Sequence, residues 1–345
     1  MKAALLTGPG RFEVRDVPTP SIGHDDDVLL RTKLVGICGS DLHYFSSTRV
    51  GDLDLRYPVR LGHECTAVVE AIGPAVTKLK RGSVVAVEPA VSCGTCDQCL
   101  ARRPHTCRNL RFMGSPGQLD GALAEFLVMP ERNCHPLPAE MDPVLGVIAE
   151  PLSIGLWAVA LAGRVEAKTV AILGAGPIGL SVCLGARVNG ARTIYVTEKV
   201  EARLAAAKEA GADWTGNPLR VDVAAEILLL EPLGLDLVFE CCGEQEALDQ
   251  AVRILKPGGT LVLVGISVEE RISFDSSKLR RKEIRIQNVR RQNACLEKAL
   301  GLLAGGTIHA DFMATHTFPL DRVQDAYETV FNYRDGVVKA TISLK

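Results

Sequence analysis

The sequence predicts an α/β protein made of two domains of different texture: a barrel-like β domain and a doubly wound parallel sheet flanked by helices. Three observations predict it. The 345 residues are enough to build two separate hydrophobic cores. Residues 1–150 read as short strands punctuated by Gly, Pro and Asp. Beyond Pro151, strands that are apolar on both faces alternate with helices, the pattern of a parallel sheet covered on both sides.

In the first region, residues 28–35 and 66–72 are predicted strands, and Gly73-Pro74 and Lys80-Arg81-Gly82 are turns. After Pro151, residues 153–162 are predicted helical and 169–173 form a continuous apolar strand. An apolar helix follows, then a strand at 193–197, a helix over 201–210, and strands at 235–240 and 260–264. The tail holds a helix at 295–303, a Gly305-Gly306 turn, a helix at 320–332 and a last strand at 337–344, which is expected to return to the β domain. No internal repeat or low-complexity linker is visible.

Two segments carry ligand chemistry by spacing alone. Cys93, Cys96 and Cys99 recur every third residue and Cys107 follows closely. Four thiolates complete a tetrahedron around Zn²⁺ and leave no open position, so this lobe (about 90–110) reads as a structural zinc site. Gly174-Ala175-Gly176-Pro177-Ile178-Gly179 follows the 169–173 strand and opens a helix. The first glycine permits the turn, the second lets backbone approach a pyrophosphate, and the third lets the helix pack on the sheet. The helix N-terminus then offers free N–H groups to the phosphates. Glu198 ends the next strand, where a carboxylate accepts hydrogen bonds from the adenosine ribose and repels a 2′-phosphate, so the turn is expected to bind NAD. Lys199 and Arg203 are the nearby cations able to hold a phosphate instead. Val264, Gly265 and Ile266 follow a strand at its carboxyl end, where such sheets bind ligands, and are expected to contact the nicotinamide ribose.

A second set, Cys38, His63, Glu64 and Glu150, offers one thiolate, one imidazole and carboxylates. Three such ligands leave a coordination position for water or substrate. Gly36-Ile37-Cys38-Gly39-Ser40-Asp41-Leu42-His43, Gly62-His63-Glu64, the four-cysteine lobe, Glu150-Pro151-Leu152 and Gly174–Gly179 occur in that order. Together they resemble the zinc-containing medium-chain alcohol and polyol dehydrogenases, nearest to the sorbitol (L-iditol) and xylitol dehydrogenases. The resemblance covers essentially the whole chain. It implies a GroES-like catalytic domain over 1–152, a Rossmann domain over 153–290 and a return of 291–345 to the catalytic domain.

The resemblance further implies Cys38, His63 and either Glu64 or Glu150 as catalytic zinc ligands, the two acids alternating. Ser40 and His43 resemble the family's proton relay; a helix-capping hydroxyl is the plain alternative for Ser40. Tyr44 and Arg291 fall where the family contacts substrate hydroxyls, with Arg290 as a rival to Arg291. Gln292 departs from the family, which usually has tyrosine there. A homotetramer or homodimer is also implied.

Composition sets the outer limits. Net charge is −2, Lys and Arg are spread along the chain, and no basic stripe suggests nucleic acid. No apolar run is expected to reach the ~18 residues that span a bilayer. Eleven cysteines without a secretory signal argue for metal ligands and buried thiols in a reducing cytoplasm. Cys65, Cys134, Cys183, Cys241, Cys242 and Cys295 are expected to be buried small hydrophobes. The function expected is reversible oxidation of a polyol or secondary alcohol with NAD. L-threonine, 2,3-butanediol or a simple sugar are rival substrates, and a non-catalytic dinucleotide-binding zinc scaffold is the rival class.

Overall fold

A computed structural model of the chain describes residues 1–50, 53–267 and 269–344. It divides into two compact units, Met1–Glu150 with Leu296–Lys345, and Pro151–Cys295.

The first unit is built on a seven-stranded sheet whose order runs Cys134–Pro136, Val84–Val87, Glu64–Ile72, Asp27–Gly36, Lys339–Ser343, Ala314–Pro319. Phe126–Pro130 also pairs with Asp27–Gly36. The Asp27–Gly36 strand therefore takes partners on both flanks: Gly36 faces Glu64 on one and Thr341 on the other. The last strand lies in this sheet, antiparallel to Asp27–Gly36. The short helix Gly39–Ser46 leaves the end of Asp27–Gly36 and buries only Asp41 and Phe45. Phe45 and Phe12 lie against the fully buried Tyr327 ring, with centroids 5.5 and 4.5 Å away. That aromatic cluster seats the helix; truncating Phe45 to alanine would cost about 3–5 kcal/mol.

The second unit is a six-stranded, all-parallel sheet. Its order is Trp214–Gly216, Thr193–Thr197, Thr169–Leu173, Leu235–Glu240, Leu255–Leu263, Arg285–Asn288. In chain order this is 3-2-1-4-5-6, the doubly wound topology whose carboxyl edge binds dinucleotides. All five residues of Thr169–Leu173 are buried, as a central strand with helices on both faces requires.

Three expectations are corrected. The helix predicted at 153–162 spans Pro143–Leu161, running through Pro151. An internal proline removes one helical hydrogen bond at a cost of about 3 kcal/mol. Burial of Val147, Ile148, Ala149, Leu152 and Leu156 offsets it. By length and hydropathy this 19-residue helix also passes for a membrane span, against the expectation that no apolar run is long enough. It carries the buried Glu150 at its centre and is 67% buried, as a core helix is. The strand expected from 260 starts at Leu255: that residue pairs with Leu235, the register then shifts across Lys256-Pro257-Gly258-Gly259, and pairing resumes at Thr260.

Candidate metal centres and dinucleotide turn

In the lobe, the Sγ atoms of Cys93, Cys96, Cys99 and Cys107 all lie within 4.8 Å of one another. Neighbouring sulfurs are 3.4–4.0 Å apart. A tetrahedron with Zn–S bonds near 2.3 Å has edges of about 3.8 Å, so the donors fit zinc. No disulfide joins them. Backbone N–H groups of Thr95 and Cys96 hold the Cys93 thiol down at about 5, while partial burial and the neighbouring thiols push Cys99 up to about 11. A bidentate Arg108–Asp97 pair, 2.5 and 2.9 Å, closes the loop that carries them.

The second centre is assembled from distant segments. Cys38, His63 and Glu64 each bring a ligand atom within 4.8 Å of the others. Cys38 caps the Gly39–Ser46 helix: its side chain takes the Asp41 N–H, and Asp41 Oδ2 in turn accepts the Cys38 N–H at 3.2 Å. Asp41 Oδ1 lies 3.4 Å from His63 Nδ1. That places a carboxylate behind the imidazole and leaves Nε2 as the nitrogen available to a metal. Burial disfavours a charge on His63, but the Asp41 and Cys38 charges overcome it and hold the ring well above its usual value.

Glu64 opens the Glu64–Ile72 strand and is almost wholly buried, with Oε2 paired to the Nζ of the fully buried Lys339. Glu150 is buried but stands outside the mutually close set. Burial pushes its carboxyl up to about 8; His63 pulls it down, Glu64 and Glu88 push it up, and Lys339 again pulls it down. Ser40, His43 and Tyr44 are half-buried on the Gly39–Ser46 helix beside Cys38, and burial lowers the His43 imidazole. Arg291 has a left-handed backbone (φ 51°) and belongs to the other compact unit.

The glycine turn has the shape its sequence demands. Gly174 has φ 98°, and a methyl on Gly179 would lie 1.8 Å from the Gly174 carbonyl oxygen. Gly176 caps the Pro177–Val188 helix, and Pro177 needs no hydrogen-bond acceptor at that first position. A methyl on Gly176 would meet only Arg203 Nη1, 3.8 Å off, so backbone there is open to an approaching phosphate. Ile178 follows in the first turn of the helix. Glu198 Oε2 accepts the Ala175 N–H at 2.8 Å, and its Oε1 accepts those of Lys199 and Val200. Lys199 is paired with Glu244. Arg203 is buried.

At the carboxyl edge, Val264 and Gly265 donate to the Glu240 carbonyl, both at 2.9 Å, and Ile266 is exposed. Gly243 packs so close that a methyl on it would lie 2.4 Å from the Ile266 carbonyl oxygen. Cys65, Cys134, Cys183 and Cys295 are buried as expected; Cys242 is exposed, a correction that follows from its place on this loop just past the strand end.

Sequence reasoning missed Asp41 as the partner of His63, Lys339 as the partner of Glu64, and Glu240, whose side chain accepts the N–H groups of Cys242 and Gly243 at 2.7 and 2.6 Å. Asp41 was findable, since its spacing from Cys38 is that of a reciprocal helix cap. Lys339 gives no local signal.

Two family models match: the alcohol dehydrogenase GroES-like domain over residues 24–139 and the zinc-binding dehydrogenase over 177–305. A sorbitol dehydrogenase of Bacillus subtilis is 33% identical over 343 residues, covering 99% of this chain and 97% of its own. An L-idonate 5-dehydrogenase of Vitis vinifera is 34% identical, covering 95% of this chain and 90% of its own. A solved structure from Sinorhizobium meliloti, described as a zinc-binding dehydrogenase bound to NADP, has a TM-score of 0.90 at 34% identity and covers 99% of both chains. The chain belongs to the zinc-containing medium-chain alcohol dehydrogenase family, whose members are oxidoreductases acting on alcohol groups.

Proposed function

We propose that this chain reversibly oxidises a polyol or secondary alcohol of the sorbitol, xylitol or iditol type to the ketose or ketone, with NAD as the hydride acceptor. The observation that carries the reading is the convergence of Cys38, His63 and Glu64, with Asp41 fixing the His63 ring from behind. Zinc held there supplies Lewis acidity that lowers the substrate hydroxyl's pKa, and the nicotinamide accepts the hydride.

The chain's own residues do the rest. Glu150, next to Glu64 in charge and burial, exchanges with it as the oxygen ligand or holds a water in its place. Ser40 and His43, on one half-buried helix, carry the substrate's proton outward. Tyr44 and Arg291 bind further hydroxyls. The four cysteines 93, 96, 99 and 107 hold the structural zinc. Gly174, Gly176, Pro177, Ile178, Gly179, Arg203, Val264, Gly265 and Ile266 seat the dinucleotide. Glu198 selects NAD: its carboxylate is anchored by three backbone N–H groups at the edge of the turn, and Lys199 is engaged by Glu244. Residues 1–152 with 291–345 form the catalytic domain and 153–290 the cofactor domain. A cytoplasmic homotetramer or homodimer completes the reading.

The test is a panel of polyols, diols, L-threonine and simple alcohols offered with NAD⁺ and with NADP⁺, followed by reduced-cofactor absorbance. Turnover of a polyol with NAD⁺ supports the reading. Turnover confined to L-threonine or to 2,3-butanediol overturns the polyol assignment, and a strong NADP⁺ preference overturns the role of Glu198.

A further inference from the structure

We propose that Lys339 is a positioning residue for the Cys38–His63–Glu64 centre: its ammonium decides which oxygen of Glu64 faces the other two ligands. The inference rests on the reading that these three residues hold a metal.

Lys339 is the first residue of the Lys339–Ser343 strand and is fully buried. Among the described residues its ammonium makes two hydrogen bonds, and both reach segments that carry the candidate centre. One goes to Glu64 Oε2; the other, 3.0 Å long, goes to the carbonyl of Ile37, the residue before Cys38. One cation therefore ties together the backbone that carries the thiolate and the side chain that carries the carboxylate. The Asp27–Gly36 strand lies between its two flanking partners, so Lys339 reaches Glu64 across the end of that strand.

Gly36 is what makes the crossing possible. A methyl there would lie 2.2 Å from Glu64 Oε2 and 2.8 Å from Val147 Cγ1. The glycine is not required by its own backbone, which lies in a regular strand. It is required by the lane the carboxylate occupies. A buried ion pair is in general a weak source of stability and is often replaceable by apolar residues. Here a swap would also release the side chain that reaches the centre, which is what a positioning role requires. With Oε2 committed to Lys339, Glu64 offers Oε1 alone to a metal.

The test uses the full-length zinc protein and three variants, Lys339→Met, Lys339→Arg and Gly36→Ala. Zinc content and zinc release to a chromophoric chelator are measured, then the absorption spectrum after cobalt(II) replaces zinc. The wild-type protein should carry two zincs. Lys339→Met and Gly36→Ala should release the one outside the four-cysteine lobe about tenfold faster or more, the usual scale for losing a residue that orients a ligand. Lys339→Arg should fall between. The cobalt bands of that centre should shift in the first two variants, while the lobe's thiolate bands stay unchanged.

Wild-type release rates and unchanged cobalt bands in Gly36→Ala would reduce the pair to a structural contact and overturn the proposal, even if Lys339→Met fails to fold. Slower release from Lys339→Met would overturn it too, because the ammonium would then only repel the metal. A wild-type protein that binds zinc in the lobe alone would overturn the metal reading itself, an outcome read before any variant is made.

Discussion

The two candidate metal centres of the first unit differ in how the chain builds them. The lobe draws all its sulfurs from residues 93–107, and a supporting contact, Arg108–Asp97, comes from the same stretch and the residue just after it. The second centre draws on a helix cap at 38, a strand start at 63–64 and a last strand at 339, with Glu150 adding charge from a long helix. A local site needs only a loop of the right length. A dispersed site needs the whole sheet in register, and gains in return a mixed donor set that leaves room for a substrate. A closed lobe therefore reports on folding, and the dispersed centre on chemistry.

The sharpest way to break that comparison is to remove one ligand from each. Cys38→Ala or His63→Ala is expected to abolish turnover, by about a thousandfold or more, with the thermal midpoint moved less than by loss of a lobe cysteine. Cys99→Ser is expected to do the reverse first: loss of one zinc and of several kcal/mol of stability, seen as a lower thermal midpoint, with turnover falling only as the protein unfolds. Similar losses of stability from both would erase the distinction. Asp41→Asn is next in size. It keeps the shape but weakens the acceptor behind His63, and a loss of about 10–100-fold in kcat/KM or zinc affinity is expected.

The smallest effect concerns the lobe stripped of its metal. Cys93, held down at about 5, is a thiolate at neutral pH; Cys99, pushed up to about 11, is not. Iodoacetamide should label Cys93 first in zinc-depleted protein, and that labelling should fall as the pH drops through 5. Equal rates at both cysteines, resolved by peptide mass mapping, would show that the backbone N–H groups of Thr95 and Cys96 do not set the order.

The same contrast explains what could be read from the sequence. The strands Thr169–Leu173, Thr193–Thr197 and Leu235–Glu240 were legible to the residue, because a buried parallel strand is a closed apolar run. The lobe and the glycine turn were legible because their chemistry is local. Pro151 hid the first half of a helix, since proline usually marks a break and only tertiary burial shows that it does not here. The choice of Glu64 as the member of the close set was also hidden: it depends on Lys339, far along the chain, and on Gly36, whose role appears only when the Glu64 carboxylate is seen to pass over it.

One loop has a practical use. Cys242 is exposed, and its Cβ sits 3.1 Å from where a methyl on Gly174 would be, against the first glycine of the phosphate turn. Surrounding atoms and the Glu240 carboxylate push its thiol well above the ordinary range, so it reacts slowly at neutral pH and survives handling. Under alkaline pulse labelling, a dinucleotide seated on the turn would shield this sulfur. The extent of modification at one peptide would then report coenzyme occupancy directly, giving a binding assay that needs neither turnover nor an identified alcohol.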